Sequence, residues 1–154
     1  MPTTRPEQAL LEHYVKKILA APVYELAVRT PLQAATGLSE ALGNRILLKR
    51  EDLQPTFSFK IRGAYNKLVQ LTAEQRARGV ITASAGNHAQ GVALAARELG
   101  ISASIVMPLT TPQLKVLGVR NRGAEAVLHG ESFPFALEYG LELGGQTGRE
   151  FVSH

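Results

Sequence analysis

Hydrophobic and polar positions along this chain alternate between two periods, and each change of period marks an element. Leu10, Tyr14 and Ile18 recur at steps of four, which predicts a helix over residues 5–20. Thr4-Arg5-Pro6-Glu7 ahead of it fits a capping box with proline in the first turn, and Pro22 stops the helix. Pro31 marks an extended connection, because the residue before a proline avoids the helical region. Arg45 to Lys49 reads as a strand, followed by the charged cluster Arg50-Glu51-Asp52 and a loop around Pro55. From Ile61 the spacing turns helical again, with Ile61, Tyr65, Leu68 and Val69 on one stripe. Thr72-Ala73-Glu74-Gln75 is a second capping-box pattern, for a short helix that Gly79 ends.

The next stretch is a regular alternation. Val80 to Ala83 is a short apolar run, the mark of a strand buried on both faces. Gly86 opens a helix with Ala89, Val92, Ala96 and Leu99 on one face, and Gly100 closes it. Ser104 to Met107 is a strand. Thr111 and Pro112 are N-cap and first residue of a helix whose C-terminal dipole suits Arg120 and Arg122, with Gly123 as its stop. Ala126 to Leu128 is a third strand, Ser132 caps a helix that fades at Gly144-Gly145, and Phe151-Val152 starts one more strand. Strand and helix in strict turn predict an α/β fold, a parallel twisted sheet with flanking helices and right-handed crossovers.

Composition sets limits on this picture. With 154 residues, 45% hydrophobic and 19% charged, the chain suits one globular domain of ordinary size. Seventeen basic against thirteen acidic residues give a net charge of +4. Eight basic and three acidic residues fall between Arg45 and Arg78, and five acidic residues with one arginine between Glu125 and Glu150. Nucleic-acid binding wants a basic stripe with aromatic platforms. Only nine aromatics are present, scattered among apolar positions, so no nucleic-acid partner is expected. The absence of cysteine excludes disulfides and thiolate metal sites, and the histidines at 13, 88, 129 and 154 lack metal-ligand spacing. No signal core and no apolar run of about 18 residues is present, so a cytoplasmic protein without a membrane partner is expected.

Two segments carry candidate chemistry. Ser84-Ala85-Gly86-Asn87-His88 lies where a strand hands over to a helix, at the carboxyl end where parallel sheets bind ligands. Its amides and the helix dipole favour a carboxylate or phosphate, Gly86 permits close approach, and Ser84 and Asn87 add side-chain hydrogen bonds. The same turn also reads as an ordinary helix cap, and His88 as a first-turn packing residue. Lys60 stands between Phe59 and Ile61, ahead of a helix. Apolar neighbours lower a lysine pKa, and a neutral amine attacks carbonyls and abstracts protons. Without that setting Lys60 is a surface lysine. Arg50-Glu51-Asp52 reads as a solvated turn or local ion pairs, and Arg62 as exposed or dipole-related.

Ser58-Phe59-Lys60 with Arg62-Gly63-Ala64, and Ser84-Ala85-Gly86-Asn87-His88-Ala89-Gln90-Gly91, closely resemble the threonine dehydratase family, fold type II pyridoxal-phosphate enzymes related to serine racemase and serine dehydratase. Leu48-Lys49-Arg50-Glu51-Asp52 is similar to the strand leading to that lysine, and Ala21-Pro22-Val23-Tyr24 with Thr30-Pro31-Leu32 resembles the biosynthetic branch. The resemblance runs from about residue 10 to the end. It implies a pyridoxal 5'-phosphate cofactor, with Lys60 in Schiff-base linkage to it, Phe59 packed beside the pyridine ring and Asn87 on the phenolic oxygen. Ser84, Ala85, Gly86, Asn87 and His88 would hold the carboxylate of a small amino-acid substrate. Lys60, once displaced, would take the α-proton; loss of the β-hydroxyl and hydrolysis would give 2-oxobutanoate (or pyruvate from serine) and ammonia, the first step towards isoleucine. Residue 85 is alanine where serine racemase resembles Ser-Ser-Gly-Asn-His, so elimination is favoured over racemisation.

The resemblance also implies parts that are not here. A glycine-rich phosphate loop and a regulatory domain belong further along such chains, and Gly144-Gly145 is too short to be that loop. The chain is therefore expected to be a truncated piece: residues 1–52 an N-terminal helix and strand that join a large domain, and 53–154 a small α/β domain. Without the phosphate cradle several charge-assisted hydrogen bonds of roughly 1.5–3 kcal/mol each are lost, so little activity is expected of the piece alone. The complete enzyme is expected to be a homo-oligomer. Two alternatives stay open: a non-catalytic domain that self-associates or binds a partner, and a serine dehydratase, racemase or other β-elimination enzyme of this fold type.

Overall fold

The structure is a computed structural model that describes residues 6–153. Thr4, the cap residue of the expected Thr4–Glu7 capping box, lies outside the described residues. Helix α1 spans Pro6–Ala20, as the four-residue steps predict, and a 3-10 turn Val23–Glu25 follows Pro22. Strands β1 (Leu32–Ala34) and β2 (Leu47–Lys49) pair antiparallel around a short helix α2 (Thr36–Leu42). Here the sequence reading needs correction. Residues 45–49 supply a strand, but its partner is the segment after Pro31, expected only to be extended, and α2 was not expected at all. Every residue of β1 and β2 is exposed, so neither carries the buried periodicity that reveals a strand.

A 3-10 turn, Glu51–Leu53, leads into α3 (Lys60–Val69) and α4 (Ala73–Arg78). The capping box of α4 forms on both sides: Thr72 Oγ1 accepts from the Gln75 amide, and the Gln75 side chain accepts from the Thr72 amide. Four strands then form one parallel sheet in the order β5-β4-β3-β6: β3 is Val80–Ala83, β4 Ala103–Met107, β5 Glu125–Leu128 and β6 Glu150–Phe151. Helices α5 (Asn87–Glu98), α6 (Gln113–Arg120) and α7 (Phe133–Thr147) make the crossovers.

Every residue of β3 and β4 is buried, as strands covered on both faces require. Alternate positions feed two cores. Val80, Ile105 and Met107 join Ile61, Leu68, Val92, Val116 and Val119 under α3, α5 and α6. Ile81, Ala83 and Val106 join Ala136 under α7. Gly144 does not end α7, as its sequence suggested. A Cβ at Gly144 would lie 3.1 Å from Ile81 Cγ2, so the glycine is a close-approach residue against the sheet. The helix runs on to Gly148, which takes the left-handed conformation at φ 69°. Pro112 is the N-cap of α6 rather than its first residue. Ser132 holds the N-cap position of α7 without a side-chain cap bond.

Candidate functional site

The first residue of α3 and the turn after β3 meet at the carboxyl edge of the sheet. Ser84 extends the β3 ladder, its amide donating to the Val106 carbonyl at 3.0 Å. Its hydroxyl oxygen accepts from the amides of Gly86 at 3.2 Å and Ala89 at 3.3 Å. Two lone pairs are thereby used, which leaves the Ser84 O–H as a donor. Gly86 is the N-cap of α5, and a Cβ there would meet open space. Asn87 is exposed at the first helical position, where the amide has no intrahelical acceptor. His88 is buried, and its Nε2 lies 3.2 Å from the Val152 carbonyl. A carbonyl only accepts, so Nε2 carries the proton. The ring ties the turn to the chain just after β6.

Lys60, Ser84, Ala85, Gly86, Asn87 and His88 line one hollow of about 410 Å³, within the range of small-molecule sites. Phe133, the first residue of α7, also lines it and was missed in the sequence. The available signal was its place directly after β5, at the same carboxyl edge. Phe59 stands elsewhere. It borders a second hollow of about 400 Å³, which Lys60 and His88 also line together with Arg62 and Lys67. The Lys60 Nζ is 5.6 Å from the Phe59 ring centroid. Ile61, expected beside the amine, is fully buried in the core. The apolar sleeve around Lys60 is therefore one-sided, and Phe59 itself is 58% exposed.

What brings Lys60 to the turn is main-chain contact. Helices α3 and α5 pack at Gly91, where a Cβ would lie 3.2 Å from the Lys60 carbonyl carbon and oxygen and 3.3 Å from the Ile61 amide nitrogen. A side chain at 91 would push the two main chains apart by a few tenths of an ångström, so glycine suits that approach. Behind the same turn of α3, Arg62 is neither exposed nor a dipole residue, contrary to its sequence reading. Its Nε and Nη2 donate to the two Glu51 oxygens at 2.8 and 2.9 Å. Glu51 also accepts from Thr30 Oγ1 at 2.6 Å and Gln54 Nε2 at 3.1 Å. Arg62, the largest cause, holds the Glu51 carboxyl down at about 2. Only Arg50 and Asp52 behave as the local surface pair expected of that cluster.

With a strand-end turn that offers amides and a lysine across one hollow, the relationship to known proteins can be stated. The sequence profile of the pyridoxal-phosphate dependent enzyme family matches residues 23–154. The chain belongs to that family. It is 53% identical over 139 residues to the biosynthetic chloroplastic threonine dehydratase of Arabidopsis thaliana, covering 90% of this chain and 24% of that protein. It is 54% identical over 139 residues to the biosynthetic L-threonine dehydratase of Escherichia coli K12, covering 90% and 27%. Its fold matches the processed form of threonine deaminase isoform 2 from Solanum lycopersicum with a TM-score of 0.92 and 48% identity, over 99% of this chain and 42% of that one. Maize serine racemase matches with a TM-score of 0.85 and 33% identity, over 92% of this chain and 43% of that one. The chain thus spans about a quarter of the length of these curated relatives.

The residues present fit the carbonyl end of the family's cofactor. An amine opens on a hollow large enough for a small ring, opposite hydrogen-bond donors. They do not supply a seat for its phosphate. Phosphate nests need successive amides that converge, commonly through a left-handed residue. Among the described residues, the left-handed glycines 43, 79, 100, 123, 130 and 148 all lie outside the lining of this hollow.

Proposed function

We propose that this chain carries the lysine-bearing part of a threonine ammonia-lyase, which deaminates threonine, and serine, to the 2-oxo acid and ammonia on the way to isoleucine. The observation that carries the proposal is the single hollow shared by Lys60 and the turn Ser84–His88. The relatives named threonine dehydratase support the choice of substrate.

Each residue takes a task from its geometry. The main-chain amides of the turn, at the positive end of α5, seat the substrate carboxylate, and the Ser84 hydroxyl adds a donor. Lys60 would hold the cofactor by its amine, and its free amine would take the α-proton. Asn87 lies on the lining, and its side-chain amide would donate to the phenolic oxygen of the cofactor. Phe59 offers its ring beside the Lys60 amine, 5.6 Å from Nζ to the centroid. The cofactor, when bound, supplies the electron sink for the carbanion. His88 acts through its anchor to Val152, which holds the turn in place. Ala85 borders the hollow and has no proton to give, which favours elimination over racemisation.

The test is chemical trapping. Pyridoxal 5'-phosphate is added to the chain, borohydride fixes any imine, and peptide mass spectrometry locates the label. Label concentrated on Lys60 and lost in Lys60→Ala supports the reading. Label spread over lysines in proportion to their exposure would overturn it.

A specific observation also supports the domain reading. Leu10, Leu11, Tyr14, Val15, Ile18 and Leu19 on α1 are all exposed, as are Leu32, Leu47 and Leu48 on β1 and β2. Surface of this kind belongs under a partner. Residues 1–52 are accordingly proposed to dock on a larger domain, with 53–154 as the small domain, and the complete enzyme to be a homo-oligomer. A clean monomer by light scattering that binds no apolar dye counts against both. None of the helices among the described residues is long and apolar enough to cross a membrane; a cytoplasmic location is part of the proposal.

A further inference from the structure

Helix α3 starts without a side-chain cap. Phe59 occupies the N-cap and makes no cap bond. Local support comes from main chain and one hydroxyl: the Arg62 amide donates to the Phe59 carbonyl at 3.0 Å, and the Lys60 amide to Ser58 Oγ at 3.3 Å. First turns left this way fray unless tertiary contacts hold them. Two contacts do so here: the Lys60 main chain packs against Gly91, and the Arg62 side chain ties to residues 28–54. Both side chains border the second hollow, and Lys60 also lines the one at the Ser84–His88 turn. Arg62 reaches back to Glu51, which in turn binds Thr30 and Gln54. Gln54 closes the frame by accepting from the Val28 amide at 2.9 Å and donating to the Val28 carbonyl at 2.8 Å. The pair is mostly buried, with side-chain exposures of 23% for Arg62 and 17% for Glu51.

We propose that the Arg62–Glu51 pair is a positioning device for Lys60: it pins the first turn of α3 to residues 28–54 and holds the Lys60 main chain against Gly91, within reach of the Ser84–His88 turn. The role rests on Lys60 being the reactive amine proposed above. A planar guanidinium in bidentate contact fixes direction as well as distance, which a lysine in its place cannot do. Removing one partner leaves the other with weaker ties, Thr30 and Gln54 for Glu51 and the Val28 carbonyl for Arg62, so the turn loses its charge-assisted anchor.

The test uses the 154-residue chain with Arg62→Gln, Glu51→Gln and, as control, Arg97→Gln, which removes an exposed pair with Glu98. Two readouts are taken. Nuclear Overhauser contacts between the Lys60 and Gly91 main chains report the position of Lys60 with no cofactor present. Borohydride trapping with pyridoxal 5'-phosphate reports its reactivity relative to exposed Lys115. Both clamp variants are expected to weaken the Lys60–Gly91 contacts and to lower the Lys60 to Lys115 labelling ratio about tenfold or more, while Arg97→Gln changes neither. Unchanged contacts overturn the inference, and so does a labelling ratio that survives the loss of contacts. If wild-type Lys60 takes no selective label, the lyase reading falls, and the main-chain contacts alone then decide whether the pair positions this residue. A variant that unfolds globally, seen as loss of dispersion across the β3–β4 core, is replaced by Arg62→Lys, which keeps the charge and loses the fork; it is held to the same two outcomes.

Discussion

Replacing Gly91 by alanine sets two known effects against each other at the site itself. Both helix ends that form the hollow depend on this contact. In a helix interior, Gly→Ala gains about 1 kcal/mol from propensity alone. The added methyl, however, would stand 3.2 Å from the Lys60 carbonyl group and 3.3 Å from the Ile61 amide nitrogen. These are main-chain atoms, and Ile61 beside them is fully buried, so α3 cannot retreat without opening its packing. Overpacking of this kind costs about 1–3 kcal/mol. The net expectation is a loss of about 1 kcal/mol. Gly63 is the matched control: it lies inside α3, and a Cβ there meets nothing within 4 Å. Gly63→Ala should therefore stabilise by about 0.5–1 kcal/mol. Urea melts of the two variants should differ in stability by about 2 kcal/mol, or by several degrees in Tm. The main-chain resonances of Lys60 should move in Gly91→Ala only. Equal stabilities, or a Lys60 signal that stays put, would refute the view that this glycine sets the distance between lysine and turn.

Other expectations follow from single contacts. The folded Glu51 carboxyl titrates near 2 because Arg62 holds it, against an ordinary value near 4.5. It thus stabilises the fold above pH of about 4.5, and that stability, about 3 kcal/mol, is lost as the pH falls towards 2. The stability gap between wild type and Glu51→Gln should narrow over that range, and a constant gap in acid melts refutes the assignment. Thr72→Ala should cost about 1 kcal/mol by removing the α4 cap, and a ΔΔG near zero in denaturant melts counts against it. Leu11→Lys with Ile18→Lys should reduce apolar-dye binding by the chain without lowering its Tm, because both side chains are exposed on α1; unchanged dye binding would place the responsible surface elsewhere.

How much of this was legible in the sequence depends on the range of the interaction that shapes each part. Strand β3 fell where Val80 to Ala83 predicts it, because burial on both faces writes itself into four consecutive side chains. The turn at its end was legible for a related reason, since strand, small polar residues and helix start follow one another within a few positions. Strand β1 and helix α2 were not, because Leu32-Gln33-Ala34 and most of α2 face outwards and leave no apolar period. The frame behind the site was harder still. The Arg62–Glu51 pair spans 11 positions, and the Gln54–Val28 pair spans 26. No spacing rule relates such residues, so Arg62 reads as one more surface charge. Contacts between main chains leave an even fainter trace, a glycine and nothing else. Gly144 was read as a helix stop and Gly91 as the tail of a motif, yet each is placed where two backbones touch. A glycine inside an otherwise strong helical pattern is thus better read as a question about what lies opposite. Here the answers are the sheet for Gly144 and the Lys60 backbone for Gly91.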